Sequence, residues 1–322
     1  MDIASEQQPR KIRKNRYIPN FAAAKFRPTN DWTAQEALAE FRKATFPKIE
    51  KGLYRTDDVF YEDCIKGMKK LPSKSIDVII ADPPFGLNFT GKESIYNRDA
   101  RFVKSGYQEV DTNYEQFSRD WIGELPRIMK ETGSAWIVSG WTNLGDVLTA
   151  VKESGLTLIN HIIWKYQFGV FTRRKFVTSH YHILFLAKSK KYYFNKVMHY
   201  PLDVWEINRT YRRGEAKNGT KLPENLIVRC IDFSSKPGQL ILDPFMGNGT
   251  TATAAKGTFR HYLGFEANKA MKDVIHANLK STKVGQFYSP YAHRDDELVK
   301  RAKSKYGTSI QERSPMARLD QF

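Results

Sequence analysis

The sequence predicts an α/β fold in which an open, mostly parallel sheet carries helices on both faces. Continuous apolar runs such as residues 76–81 lack the alternation of a half-exposed strand and are typical of strands buried on both sides. These runs alternate along the chain with helical stretches, which is the pattern of a parallel sheet. Residues 156–166 and 181–187 are not separated by a helix, and they predict one antiparallel pair.

Each element follows from a local signal. Asn30 is the predicted cap of the first helix, and residues 72–75 (PSKS) form a turn before the first buried strand. Residues 86–113 are polar and predict a long loop, which in a compact domain is usually functional or disordered. The predicted strands are residues 59–61, 76–81, 135–138, 156–166, 181–187, 239–242 and 262–265. The predicted helices are residues 32–43, 65–71, 114–131, 143–153, 222–234, 250–256 and 268–279.

The charge of the chain favours a polyanionic partner. Lysine and arginine number 52 against 35 aspartates and glutamates, a formal charge of +17. Counterion release drives such a protein onto nucleic acid, although a basic protein without such a partner is the alternative. Seven basic residues and no acidic one lie between Gln8 and Pro28, so residues 1–30 are predicted to form a basic arm. A folded domain is predicted over residues 31–288 and a charged tail over residues 289–322.

The sequence gives no indication of a membrane span or of a metal site. No run approaches the roughly 18 apolar residues of a transmembrane helix. The two cysteines, Cys64 and Cys230, match no metal-ligand spacing and are too few for a disulfide framework. We expect both to be reduced core or helix residues of an intracellular protein that holds no metal.

A glycine-containing turn, residues 243–251 (DPFMGNGTT), links a predicted strand to a helix. Its glycines let a ligand approach the backbone, and the helix amides can bind an anionic group. It is neither a Walker loop nor a complete dinucleotide fingerprint. Glu266 ends the next strand, where a carboxylate can accept hydrogen bonds from ribose hydroxyls. This combination indicates a nucleoside-bearing cofactor without a polyphosphate, and S-adenosylmethionine fits. The candidate cofactor-binding residues are Asp243, Phe245, Gly247, Asn248, Gly249, Thr250, Thr251 and Glu266.

A second strand end, residues 82–85 (DPPF), predicts a site made of hydrogen-bond acceptors. Two prolines remove two amide donors, and an ionised aspartate only accepts. Such a site suits an amino group that is held as a nucleophile. A planar base can stack on the face of the aromatic ring, and the same face attracts a cationic sulfonium. A base in a duplex must be flipped out before it can reach the ring. The candidate catalytic residues are Asp82, Pro83, Pro84 and Phe85; the alternative is a structural proline turn with Phe85 in the core.

Together the two motifs resemble those of the DNA methyltransferases that methylate amino groups, the N4-cytosine and N6-adenine family. Their order, catalytic motif before cofactor motif, is similar to the β, or permuted, class of that family. The resemblance covers about residues 55–280. Further segments match it at residues 62–65 (EDCI), 71–72 (LP), 76–77 (ID), 163–165 (IWK), 182–185 (HILF) and 221–226 (KLPENL).

This resemblance implies a circularly permuted, Rossmann-like sheet of seven strands, the class I fold of S-adenosylmethionine-dependent methyltransferases. It implies direct transfer to an exocyclic amine without a covalent enzyme intermediate. Asp63 is expected to contact the cofactor adenine with Cys64 beside it, and Asp82 to lie against both cofactor and target. The domain divides into a catalytic half (55–195), a target-recognition segment (195–219) and a cofactor half (220–280). The expected setting is restriction–modification in a prokaryotic cytoplasm, at the nucleoid.

The target base is left open between two amines. Aspartate in the first catalytic position resembles the adenine-N6 enzymes. Residues 220–226 lack the usual Lys-Pro pair and resemble the cytosine-N4 members. The stretches 86–89, 96–98 and 164–169 are similar to archaeal methylases of short palindromes such as CTAG. Cytosine N4 is therefore the favoured target, with adenine N6 as the alternative.

Short basic stretches are the candidates for DNA recognition, because arginine can read guanine edges and aromatic rings can stack or wedge. For about half of these residues the alternative is a solvated surface that contacts only phosphates. The expected partners are double-stranded DNA, a cognate restriction endonuclease and, for a palindromic site, a second copy of the chain. The candidate DNA-binding residues are Arg173, Arg174, Lys175, Arg209, Arg212, Arg213 and Lys217.

Two rival functions remain at this point. An RNA methyltransferase could share both motifs, although its usual order places the cofactor half first. A catalytically inactive DNA-binding subunit is the second rival, and the intact Asp82–Phe85 motif argues against it.

Overall fold

The computed structural model of the chain describes residues 28–84, 113–167, 169, 173–174, 176–198, 201–209 and 221–290. Most of the predicted basic arm and of the charged tail lies outside the described residues. So do residues 86–112 of the predicted loop and several predicted site residues, which are Phe85, Lys175, Arg212, Arg213 and Lys217.

Strands and helices alternate along most of the chain, as predicted. The strands are β1 (Asp58–Phe60), β2 (Ile76–Ala81), β3 (Met129–Ser139), β4 (Thr157–Lys165), β5 (His180–Ala187), β6 (Val204–Glu206), β7 (Leu240–Asp243) and β8 (His261–Phe265). The helices are α1 (Ala34–Lys43), α2 (Pro47–Glu50), α3 (Cys64–Lys70), α4 (Tyr114–Ile128), α5 (Leu144–Ser154), α6 (Glu224–Ser234), α7 (Thr250–Gly257) and α8 (Lys272–Ser281).

Within the described residues, eight strands form one mixed sheet in the order β1-β8-β7-β2-β3-β5-β4-β6. Only β5 runs antiparallel to its neighbours, and its pairing with β4, for example Trp164 opposite Tyr181, confirms the predicted antiparallel pair. The sheet has one strand more than the predicted seven. The additional strand is β6, three residues that pair with the outer side of β4 and are too short to give a sequence signal.

Two hydrophobic layers cover the two faces of the sheet, which explains why β2 is apolar at every position except Asp77. One face of the sheet shares a hydrophobic core with α3, α4 and α5, through side chains that include Met68, Trp121, Leu125, Val147 and Ala150. The other face shares a core with α6, α7 and α8, through side chains that include Ile227, Cys230, Ala252, Ala254 and Ile275. Burial of apolar area on both faces of the sheet is the main stabilising term of such a fold.

Asp77, the polar exception in β2, joins three strands at their amino ends. Its buried carboxylate accepts hydrogen bonds from Lys130 Nζ at 2.8 Å, Gln239 Nε2 at 2.9 Å and the Leu240 amide at 3.1 Å. The carboxylate thereby ties β2 to the starts of β3 and β7, and a buried charge is tolerated because it is paired and hydrogen-bonded.

Several predicted boundaries were wrong. The first helix is capped by Thr33 rather than Asn30, because Thr33 and Glu36 form a reciprocal capping box. The helix predicted over 114–131 ends at Ile128, and the charged residues after it form the partly exposed start of β3. The last predicted helix is divided, since a 3₁₀ turn (Lys269–Met271) precedes α8.

Both cysteines are free and buried, as predicted, and burial raises the pKa of each thiol. No helix in the described part of the chain is long and apolar enough to cross a bilayer.

Arg260 carries a buried charge on which local stability depends. Its guanidinium donates to Ser235 O at 2.7 Å and Thr258 O at 2.6 Å, and lies 3.8 Å from the buried Asp232 carboxylate. Arg260→Met is expected to lower the free energy of unfolding by about 3–5 kcal/mol, because Asp232 would stay buried without this cation. Urea denaturation measures the change. Arg55 pairs with Asp58 and its side chain is 78% exposed, so Arg55→Met is the matched control and should cost less than about 1 kcal/mol.

Candidate active site at the carboxyl edge of the sheet

Four neighbouring parallel strands carry an acidic residue at or just after their carboxyl ends. In sheet order these are Asp63 after β1, Glu266 after β8, Asp243 at the end of β7 and Asp82 after β2. The register pairs Phe60 with Phe265 and Asp243 with Gly264, so the four ends share one edge. This carboxyl edge brings together the two predicted motifs, which are far apart in the sequence.

Asp82 is half-buried at the centre of the carboxyl edge and is followed by the two prolines. Burial raises the pKa of its carboxyl to about 7, and the negative charge of Asp243 adds to the rise. The guanidinium of Arg209 acts in the opposite direction. Near neutral pH Asp82 is therefore divided between the neutral and the ionised form.

Asp243 is held inside the turn that it begins. Its Oδ1 accepts the Phe245 amide at 2.8 Å, and its carboxylate also accepts a hydrogen bond from the Thr251 side chain. Burial nevertheless raises its pKa to about 7, and the charge of Glu266 contributes. Burial of Asp243, partial burial of Asp82 and the effect of the Asp243 charge on Asp82 thus disfavour the ionised forms of these two neighbouring carboxyls.

Glu266 is fixed by two backbone amides. Its Oε2 accepts the Gly247 amide and its Oε1 the Asn268 amide, each at 2.7 Å. Burial raises the pKa of this carboxyl as well. Each carboxylate oxygen can accept a second hydrogen bond, so the group is oriented and still able to receive ribose hydroxyls.

The glycine turn leaves space beside the backbone. Gly247 has a φ of +52°, and a Cβ built on it would meet no atom closer than Phe245 O at 3.8 Å. Gly249, with a φ of +80°, is the N-cap of α7. Left-handed backbone favours glycine at both positions, and the open side of Gly247 is the cradle that a ligand lying against the backbone requires.

The remaining predicted cofactor residues have varied environments. Thr250 and Thr251 are buried in the first turn of α7, and Asn248 accepts Asn278 Nδ2 through its backbone oxygen at 2.8 Å. The Phe245 ring packs edge-on against Trp121. Asp63 is exposed and its Oδ1 caps α3 at the Lys66 amide, while Cys64 is buried behind it.

Arg209, whose predicted contact with DNA stays a prediction, lies among aromatic rings. Its guanidinium lies 4.9–5.3 Å from the ring centres of Trp164, Tyr166 and Tyr181, which form an aromatic cage at the end of β4 and the start of β5. Backbone hydrogen bonds with the Gln167 side chain, at 3.0 and 3.1 Å, fix the residue. Three rings attract the cation, and its charge lowers the pKa of the Asp82 carboxyl.

Sequence reasoning missed this aromatic cage as a unit. Trp164 and Tyr166 are two residues apart on one strand and therefore share a face, which the sequence shows. The third ring joins them only through the register that places Tyr181 opposite Trp164. Sequence reasoning also did not single out Trp141, which is 62% exposed and follows β3 at the same edge of the sheet.

The predicted DNA-binding residues Arg173 and Arg174 are exposed between β4 and β5. The structure does not bring them into the row of acids at the carboxyl edge, and the other basic candidates beyond Arg209 lie outside the described residues.

The sequence profile described as DNA methylase, that of the N6/N4 enzymes, matches residues 76–277. The chain belongs to this DNA methylase family. Among relatives of this DNA methylase, the type II methyltransferase M.HinfI of Haemophilus influenzae is 31% identical over 242 residues, 69% of this chain and 67% of the relative. The type II methyltransferase M2.DpnII of Streptococcus pneumoniae is 29% identical over 69% of this chain and 88% of its own length.

Solved structures share the fold of this DNA methylase at low sequence identity. The M1.HpyAVI–SAM complex superposes with a TM-score of 0.53 at 22% identity, covering 69% of this chain and 98% of the other. The PvuII DNA methyltransferase, described as cytosine-N4-specific, gives 0.54 at 15% identity, covering 70% and 93%. These likenesses confirm the predicted class I methyltransferase fold, and the family match confirms the predicted resemblance at family level. The permuted class and the archaeal similarity stay predictions.

Proposed function

We propose that this DNA methylase transfers a methyl group from S-adenosylmethionine to an exocyclic amino group of a base flipped out of duplex DNA. The supporting observation is the group of three carboxyls, Asp82, Asp243 and Glu266, at the ends of adjacent strands. Burial raises the pKa of all three carboxyls, so their ionised forms are disfavoured in the free protein. A ligand that carries positive charge favours those ionised forms.

The residues at the glycine turn suit this cofactor. In the proposal Glu266 accepts the ribose hydroxyls, the open backbone at Gly247 lies against the cofactor, and the first amides of α7 bind its carboxylate. Asp63 is assigned to the adenine and residues 221–226 to the methionine end. The cofactor half at 220–280 and the catalytic half at 55–195 therefore meet at the carboxyl edge.

Asp82 is assigned to the target amine. When bound, S-adenosylmethionine supplies an electrophilic methyl group on a positively charged sulfur. The Asp82 carboxylate accepts a hydrogen bond from the amine, orients the nitrogen lone pair and receives or passes on the proton that the amine loses. Pro83 and Pro84 offer no competing amide donor, and the proposed stacking partner of the base is Phe85. Arg209 favours the ionised form of Asp82, which is the accepting form.

The affinity for S-adenosylmethionine is expected to rise with pH. Asp82 and Asp243 have pKa values of about 7 in the free protein, and a cationic ligand binds best once they have lost their protons. The Kd should therefore fall by about tenfold or more between pH 6 and pH 8 and level off above that range. Calorimetric titration measures the Kd at each pH.

S-adenosylhomocysteine is the matched control, because it lacks the methyl group and the charge on sulfur. Its Kd should change less steeply over the same pH range. Equal pH dependence for both ligands would contradict an interaction between the carboxyls and the sulfonium.

The class of substrate is tested by transfer of an isotopically labelled methyl group. We expect label in duplex DNA of mixed sequence and none in RNA when each is incubated with the protein. Label in RNA alone would transfer the assignment to an RNA methyltransferase. DNA binding without labelled product would favour an inactive DNA-binding subunit.

Within this function we propose cytosine N4 as the target atom. The form of residues 220–226 supports it, since Leu222 interrupts the Lys-Pro pair. Adenine N6 is the second candidate, supported by aspartate at position 82. Further proposals are a short duplex site read partly by segment 195–219, a two-fold dimer on a palindromic site and a cognate restriction endonuclease.

A further inference from the structure

Strands β4 and β5 are the two arms of a hairpin, and the described residues next to them continue the contact beyond both strands. The Tyr166 amide donates to Ser179 O at 2.9 Å, and the Tyr166 hydroxyl donates to Thr178 O at 3.4 Å. Gly169 lies so close to the other arm that a Cβ on it would come within 2.2 Å of Thr178 O. These contacts hold the two arms together past the ends of the strands.

This hairpin projects from the carboxyl edge that carries Asp82. Strand β4 runs parallel to β2 and β3, so the chain leaves β4 at the edge where β2 ends in Asp82. The root of the hairpin is the aromatic cage of Trp164, Tyr166 and Tyr181, which holds Arg209. A duplex that delivers a base to Asp82 therefore approaches the side from which the hairpin emerges.

Three described side chains of this hairpin, between Gly169 and Val177, combine charge with an exposed ring. Arg173 and Arg174 are exposed, and Phe176 is 97% exposed, the highest value among large hydrophobic side chains of the described chain. Single exposed apolar residues are common, as Leu53 shows at 74%. Phe176 differs from Leu53 because two exposed arginines precede it by two and three residues, in the hairpin that leaves the carboxyl edge. Duplex DNA matches both the charge and the ring, because its phosphates are anionic and its stacked bases present apolar faces.

We propose that Phe176 inserts into the base stack of duplex DNA beside the target base, while Arg173 and Arg174 bind the flanking phosphates. The proposal rests on the proposed function as a DNA methyltransferase and identifies how the duplex is opened. Apolar side chains that enter a base step unstack it, and a base must be unstacked before it is flipped. Phe176 is thus a DNA-contacting residue that acts before the chemical step at Asp82.

The test is unwinding of closed-circular plasmid DNA by Phe176→Ala, Phe176→Trp, Leu53→Ala and the wild type, without cofactor. Each protein is bound to the plasmid, topoisomerase I relaxes the DNA, and the remaining topoisomers are counted at equal occupancy by filter binding. Wild type, Phe176→Trp and Leu53→Ala should unwind the plasmid. Phe176→Ala should unwind it at least about threefold less, because its wedge is lost. Its Kd for DNA should rise about tenfold.

Equal unwinding by Phe176→Ala and the wild type would overturn the proposal, as would a wild type that binds plasmid without unwinding it. The readout is independent of methyl transfer. A wild type that unwinds DNA through Phe176 but methylates nothing would remove the proposed function and leave the wedge. Normal methylation by the wild type, together with unchanged unwinding by Phe176→Ala, would remove the wedge and leave the proposed function.

Discussion

Asp82→Ala is expected to reduce methyl transfer to DNA by at least about 10³-fold, because the target amine loses the acceptor that orients it and removes its proton. The Kd for S-adenosylmethionine should change by less than about tenfold, since Asp243 and Glu266 remain in place. Single-turnover transfer of labelled methyl groups and calorimetric titration measure the two quantities separately. Asp82→Asn, which keeps one accepting oxygen, should fall between the wild type and the alanine variant.

The separation of these two effects tests the assignment of Asp82. Asp120→Ala, at an exposed aspartate of α4, is the control and should leave both quantities unchanged. Turnover by Asp82→Ala at the wild-type rate would remove Asp82 from the mechanism. Loss of cofactor affinity as large as the loss of transfer would make Asp82 a binding residue.

Gly247→Ala is expected to raise the Kd for S-adenosylmethionine by about 10–100-fold. The added methyl group would occupy the open side of the turn, where a ligand is proposed to lie against the backbone. It would also strain a backbone with a φ of +52°, at about 1–2 kcal/mol for an L-residue in the left-handed region. Calorimetric titration gives the affinity and urea denaturation the stability.

Gly155→Ala isolates the contribution of strain. Gly155 caps α5 with a φ of +79°, and a Cβ there meets nothing within 4 Å. Both variants should therefore lose similar stability, whereas only Gly247→Ala should lose cofactor affinity. Equal cofactor affinity in the two variants would show that the cofactor lies elsewhere.

The two motifs of the site could be predicted from the sequence because their chemistry is local. The identities of residues 82–85 and 243–251 show directly which hydrogen-bond donors, acceptors and glycines follow each strand. Their meeting depends on the strand order β8-β7-β2, which no local pattern contains. The three raised pKa values follow from that meeting, since burial and neighbouring charges exist only in the folded chain.

Other features could be predicted only in part. The capping box at Thr33 and Glu36 is visible in the sequence as T-x-x-E, whereas Asn30 is used elsewhere, its amide donating to Asn195 Oδ1 at 2.9 Å. The arginine at 209 is conspicuous in the sequence as a basic residue, but its position in the aromatic cage depends on pairing between β4, β5 and β6. A tertiary contact of this kind has no signature in residue spacing.

Nucleoside mass spectrometry detects methylation of an exocyclic amine in DNA and identifies the methylated base. Duplex DNA of varied sequence is incubated with the protein and S-adenosylmethionine, digested, and analysed with fragmentation that separates N4-methylcytosine from its 5-methyl isomer. We predict N4-methylcytosine, and none from Asp82→Ala. N6-methyladenine would support the same site and the same chemistry but would show that the target base is adenine rather than cytosine. A 5-methylcytosine product, or no methylated nucleoside, would contradict the proposed transfer to an exocyclic amine.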